Sequence, residues 1–261
     1  MPIRTTLLSL LAVLAAACGA QAAGTDALRI NGHIDAAIAN QMHDALGHGG
    51  HAIRVTSAGG DPLPVLALAR DMRRAHATLI VDGLCAGPCA NYLFPAAAKR
   101  TILTGGLVIF SGTATSALAM VPPAMGNSLA ANYAPTAMQE KSLFTEAGIN
   151  QALLLEPQLR LETRCYSLTS HDVSGKSYIN YRSDFLGWVP SRAYLAKAGI
   201  RTDGFWPATA EQFQIAFKNA FPGGARGNIA TFGPASPSSA ASLLARLKAV
   251  PQCDKGLPGK R

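Results

Sequence analysis

From Leu28 to Phe110 the chain alternates short apolar runs with helix-length segments, and this alternation limits the fold more than any other feature of the sequence. Leu28-Arg29-Ile30 reads as a strand, Ala36 to Leu46 as a helix, and Ala52 to Thr56 as a second strand. Pro62 to Ala75 then predicts a helix whose early prolines suit a first turn, where their missing N–H groups have no partner to lose. Thr78 to Val81 is a third strand, the turn Gly83 to Pro88 leads into a helix over Cys89 to Ala97, and Thr101 to Leu103 and Leu107 to Phe110 complete the strand set. Strands spaced by helices of this length specify parallel β-α-β units with right-handed crossovers, whose ligands gather at the strand C-termini. Two glycine-rich turns, Ser57-Ala58-Gly59-Gly60 and Gly83 to Pro88, follow successive strands and so face one crevice. Neither carries the G-x-G-x-x-G or G-K-[ST] pattern of a nucleotide loop.

The second half is predicted mostly helical from Leu129 to Leu161, with breaks near Pro135, Gly148 and Pro157. Tyr178 to Tyr181 reads as a strand and Ser191 to Ala198 as a short helix closed at Gly199. Thr209 to Gln212 has the form of a capping box opening a helix to Phe221. Pro234 to Ser239 is a linker, Ala240 to Val250 a short helix, and the tail after Cys253 is basic and loose.

The N-terminus orders a basic start (Met1 to Arg4), an apolar run (Leu7 to Ala17) and the small residues of Ala20-Gln21-Ala22, which is the pattern of an export signal over residues 1–22. The run falls short of the about 20 residues of a membrane span. Leu14 to Cys18 loosely resembles a lipoprotein signal, which gives lipid attachment at Cys18 as a second reading of the same segment. In the oxidising compartment that export implies, the remaining cysteines, Cys85, Cys89, Cys165 and Cys253, are candidates for two disulfides of open connectivity. The C-x3-C pair lacks the partner motif of a zinc site, and His33, His43, His48 and His51 have no ligand spacing, so neither metal nor cofactor is expected. The net charge is +8, but aromatics are 7% and the one tight basic group, Arg70, Arg73 and Arg74, falls on a helix face. That argues against a nucleic-acid binder and for a solvated helix surface.

Ile30-Asn31-Gly32-His33-Ile34, the Ser57 to Gly60 turn, Cys85-Ala86-Gly87-Pro88-Cys89-Ala90 and Leu107 to Thr113 fall in the order and spacing of the Clp-protease/crotonase superfamily. Trp188 to Ser191, with Leu195 and Ala198 to Ile200, resembles the closing segment of that fold. The resemblance implies a ClpP/crotonase-like α/β domain over residues 25–200, a small helical extension with a basic tail over residues 201–261, and homo-oligomeric assembly. It also implies a serine peptidase: a serine attacks a carbonyl, a histidine takes its proton, an acid orients the histidine, and backbone N–H groups hold the oxyanion.

Carried onto this chain, the nucleophile position falls on Gly87, the base on Ser111 and the acid on Asp184. Pro88, following Gly87, has no N–H to donate. No small shift of alignment repairs this, because Ala58 through Phe110 contains no serine and Ala77 through Ser170 no histidine. Gly59 and Gly60 are the surviving candidates for holding a peptide carbonyl through exposed N–H groups. Ser57 and Ser111 are read as turn residues whose hydroxyls bond nearby backbone. The expectation is an exported, catalytically inactive protein acting in the cell envelope by binding a peptide or protein, or by assembly. One alternative is an active serine- or cysteine-type hydrolase with a relocated site drawn from Cys89, Ser111 or His171. The other is a structural envelope protein whose basic tail touches membranes.

Overall fold

The computed structural model describes residues 27–121, 126–160, 165–171, 177–183, 187–222, 230–233 and 238–249. The expected signal over residues 1–22, Cys18, Asp184 and Cys253 lie outside them, and Cys165 and His171 are placed in backbone only.

The alternation produces the expected parallel sheet. Strands β1 (Leu28–Asn31), β2 (Ala52–Ser57), β3 (Thr78–Ala86) and β4 (Lys99–Ile102) lie side by side in that order, every pair parallel. β2 buries Ile53, Val55 and Ser57 in strict period two, the signature of a strand with one face on the core. Helix α1 (Ala36–Gly47) starts where the Asp35 carboxylate accepts the Ile38 N–H at 2.9 Å, and it buries Ala39, Met42 and Leu46. Helix α2 (Pro62–Arg74) has prolines in its first turn and no side-chain cap. It buries Val65, Leu66, Leu68, Ala69 and Met72, the stripe expected of a helix laid on a sheet.

β3 departs from the sequence reading, which ends the strand at Val81 and begins a turn at Gly83. Val55 pairs with Val81 but Ser57 pairs with Cys85, so β3 carries extra residues against β2 and continues through the irregularity to Ala86. Gly83, at φ +113°, serves a bulge here instead of a turn. Asp82 is tied back to β2 by Arg54, whose Nε donates to the carboxylate at 2.6 Å. Because of this extension the first half of β3 pairs with β4, and its second half, Leu84 to Ala86, pairs with β5 (Leu107–Ile109).

The helix expected over Cys89 to Ala97 is a widened π-helical turn, Cys89–Leu93, running into the short helix α3 (Phe94–Ala96). Arg100 of β4 closes that run by donating to the Phe94 and Pro95 carbonyls. Burial draws the Arg100 pKa down to about 10, so the guanidinium stays charged at neutral pH. Helix α4 (Ala114–Met120) follows β5. Helix α5 (Gly126–Ala147) passes through Pro135 without the break expected there. An internal proline costs about 3 kcal/mol; against it, α5 buries Ala137, Glu140, Leu143 and Phe144 along one side. The stop at Gly148 does occur, with φ +66° and the Ile149 N–H bonded to the Phe144 carbonyl at 2.9 Å.

A 3-10 turn (Gln151–Leu154) and helix α6 (Glu156–Arg160) lead to the antiparallel ribbon β6 (Cys165–His171) and β7 (Ser177–Ser183). Strand β8 (Gly187–Pro190) is wholly buried, and Phe110 and Trp188 exchange backbone hydrogen bonds of 2.9 and 2.6 Å. Helix α7 (Arg192–Lys197) is capped by Ser191. Beyond residue 200 the chain keeps contributing to the same body. Strand β9 (Asp203–Gly204) pairs with β4, and β10 (Ala230–Gly233) pairs with β8. Helix α8 (Ala210–Ala220) places Phe213 and Ala216 in the main core, with the Thr209 side chain as its cap. Helix α9 (Ala240–Lys248) instead packs Leu243 and Leu247 against Ala152 and Leu155 in a small satellite core. Among the described residues no helix is long and apolar enough to cross a membrane.

Candidate functional site

Three chain segments separated in sequence meet at the C-terminal ends of β2, β3 and β5. The first is the Ser57 to Gly60 turn. Ser57 continues the inward-facing set of β2, so its hydroxyl is buried; it donates to the Gly59 carbonyl at 2.7 Å and accepts the Gly59 N–H at 3.1 Å. This corrects one expectation: Gly59 is buried and its N–H is already taken. Gly60 N–H has no acceptor among the described residues. The neighbouring backbone pairs with β1's extension, Ile34 N–H donating to the Gly59 carbonyl at 3.0 Å and Asp61 N–H to the Ile34 carbonyl at 2.9 Å.

The second segment is the end of β3. Gly87 takes φ +53°, a conformation an L side chain enters only at a cost of about 1–2 kcal/mol. The Gly87 N–H donates to the Ile109 carbonyl at 3.1 Å, and its carbonyl accepts the Asn91 N–H at 2.8 Å. A disulfide joins Cys85 to Cys89 across it, with both residues fully buried. So short a loop removes less unfolded-chain entropy than the about 3 kcal/mol of a 15-residue loop; the bridge mainly holds the turn. Because neither sulfur is exposed, dithiothreitol should leave the Cys85–Cys89 peptide oxidised in the folded protein and reduce it readily once urea unfolds the chain. Mass mapping after alkylation reads this directly, and rapid reduction of the native protein would contradict the buried placement.

The third segment is Ser111, just past β5. Its N–H donates to Asn91 Oδ1 at 3.1 Å, and Asn91 Nδ2 returns to Ser111 Oγ at 3.2 Å and to its carbonyl at 3.3 Å. The Ser111 hydroxyl in turn donates to the Gly112 carbonyl at 3.3 Å. A Cβ placed on Gly87 would lie 3.7 Å from Ser111 Oγ, 3.6 Å from the Ala58 carbonyl oxygen and 3.9 Å from Gly59 Cα. On Gly59 it would meet Pro88 Cδ at 3.1 Å. Gly87, Ser111, Gly59 and Pro88 are thus neighbours, although more than 20 residues separate Gly87 from Ser111. Gln158 of α6 lies over Gly112, its Oε1 2.2 Å from where a Cβ there would sit.

Chemically the cluster supplies hydrogen-bonding groups, and among the described residues no histidine or carboxylate is bonded to the Ser111 hydroxyl. The amide of Asn91 donates to Ser111 Oγ and cannot take its proton. Cys89 has no free thiolate while bonded to Cys85. Two of the histidines are paired with acids: His33 Nε2 with Asp61 at 3.0 Å, and His43 Nδ1 with Asp71 at 2.8 Å.

Sequence reasoning passed over two residues that build this site. Asn91 is one, a buried amide two positions after Cys89. The other is Glu140, fully buried on α5, whose carboxylate accepts the Ala114 N–H at 2.9 Å, the Thr115 N–H at 2.7 Å, the Thr115 hydroxyl at 2.6 Å and the Tyr92 hydroxyl. It thereby caps α4 from outside and fixes the Ser111 to Thr113 connection, which Thr113 and Ser116 complete as a reciprocal capping box. Burial first, then the charge and hydrogen bond of Glu140, raise the Tyr92 pKa well above the ordinary phenol range, so Tyr92 remains a neutral donor. A buried amide facing a serine 20 residues away leaves no local periodic signal.

No family model matches this chain, and no curated protein matches it. Among solved structures it is similar to ClpP1 from Listeria monocytogenes, at 16% identity and a TM-score of 0.35, over 47% of this chain and 72% of that one.

Proposed function

We propose that this is an exported ClpP/crotonase-like protein that has lost hydrolase chemistry and acts by binding a peptide or protein ligand, or by assembly. The observation that carries the reading is the 3.7 Å approach of Gly87, through its virtual Cβ, to Ser111 Oγ. The positions that the sequence resemblance gives to nucleophile and base are adjacent in space, and one has no side chain while the other has no basic nitrogen. Pro88 next to them lacks the N–H that completes an oxyanion hole, a defect that alone costs about 10²- to 10³-fold in rate. In this reading Gly60, whose N–H has no acceptor among the described residues, is the candidate for presenting a donor to a ligand carbonyl. Asp184 is kept as the acid position of this reading, and the export signal over residues 1–22 places the protein in the periplasm or outside the cell.

The test is chemical. Purified protein incubated with a fluorophosphonate serine probe is expected to remain unlabelled by intact mass and to release no product from peptide or ester substrates. Stoichiometric labelling, or turnover that vanishes in Ser111→Ala, overturns the proposal in favour of a relocated hydrolase site.

A further inference from the structure

The arginines that read as a solvated face of α2 are arranged differently. Arg70, Arg73 and Arg74 line a cavity of about 440 Å³ together with His76, Ala96, Ala97, Ala98 and Glu146, where the end of α2 and the end of α5 meet the loop after α3. This volume lies within the about 300–1,000 Å³ range of small-molecule sites.

How the guanidinium groups are engaged sets the charge of that cavity. Arg70 donates through Nη1 to Gln139 Oε1 and through Nη2 to the Gln139 carbonyl, both at 3.1 Å. Arg73 donates to the Glu146 carbonyl, and Arg74 pairs with Asp71. Among the described residues neither Arg70 nor Arg73 has a carboxylate within ion-pair distance; their partners are neutral acceptors that orient the heads without cancelling their charge. The Glu146 carboxylate, the one acid lining the cavity among the described residues, is hydrogen-bonded by Ser142. Arginines half-removed from water are ordinarily paired with an acid. Two that are not, held side by side over an apolar alanine floor, focus positive potential into the concavity. Arg73 keeps Nε and Nη1, and Arg74 keeps Nε and Nη1, without protein partners among the described residues. These are the donors that meet two oxygens of a phosphate or carboxylate at once.

We infer that the cavity between α2, the 96–98 loop and α5 binds a small polyvalent oxyanion, a phosphate ester or a polycarboxylate. This inference is independent of the reading of Gly87 and Ser111, since no residue is shared.

Isothermal titration at low ionic strength tests it, with inorganic phosphate, citrate and, as the uncharged control, glucose. Phosphate or citrate is expected to bind saturably at one site per chain and glucose not at all. Preference for phosphate identifies the ligand class as phosphate esters, and preference for citrate as polycarboxylates. Ala98→Glu puts a competing carboxylate into the cavity at an exposed position without touching any arginine hydrogen bond, and Arg73→Gln removes one charge while keeping a donor for the Glu146 carbonyl. Each should weaken binding on the order of tenfold or more, with circular dichroism and urea midpoint close to the parent for Ala98→Glu. Absence of saturable binding by both anions, or equal affinity in the parent and Ala98→Glu, overturns the inference.

Discussion

Replacing Glu140 with alanine is expected to lower the stability of this protein by about 4 kcal/mol, a large part of the about 5–15 kcal/mol that a domain possesses. The carboxylate is fully buried and accepts four hydrogen bonds: two from the first turn of α4 and one each from the Thr115 and Tyr92 hydroxyls. Hydrogen bonds to a charged group contribute about 1.5–3 kcal/mol each, and deleting the acceptor leaves donors stranded in the interior. They do not add, because water and local movement recover part of the loss. Glu140→Gln keeps one acceptor oxygen and should fall between parent and alanine variant. Urea unfolding followed by tryptophan fluorescence measures both. An alanine variant within about 1 kcal/mol of the parent would show that α4 is capped by something else.

Gly60→Ala is the second substitution expected to be costly, by about 2–3 kcal/mol. A Cβ there would stand 2.3 Å from the Ile34 carbonyl oxygen, 2.7 Å from its Cβ and 2.9 Å from its carbonyl carbon. The obstructing oxygen is backbone and already accepts the Asp61 N–H, so no side-chain rotation relieves the overlap. The turn must open and move Gly59 away from Pro88. Gly148→Ala is the contrasting case: Gly148, unlike Gly60, occupies the left-handed region, at φ +66°, but a Cβ there meets nothing within 4 Å. It should cost only the conformational penalty of about 1 kcal/mol. Parallel urea titrations separate close approach from backbone preference. Equal losses in the two variants would mean that the Ile34 contact does not constrain the turn.

These residues also mark where reading the chain stops being enough. The break expected at Pro135 is absent because α5 is held by contacts of Ala137, Glu140, Leu143 and Phe144 with other elements, which no propensity scale contains. Gly83 was legible as a residue of unusual conformation; whether it served a turn or a bulge depended on how β2 lay beside it. The Gly148 and Ser191 boundaries, by contrast, were readable, because a cap is made by atoms a few residues apart.

The sequence by itself determined a parallel α/β body, since the alternation of strand and helix periods is written in neighbouring residues and the local backbone must follow it. It also determined that Ala58 through Phe110 holds no serine and Ala77 through Ser170 no histidine. Tertiary structure alone decided that Gly87 and Ser111 are neighbours, that Asn91 and a buried Glu140 hold that connection, and that Arg70, Arg73 and Arg74 rim a cavity in place of a free helix face. The reason is physical: each of these contacts joins residues about 20 to 75 positions apart, and the energy that selects them comes from burial and hydrogen bonding between elements, which exists only after the chain has closed on itself.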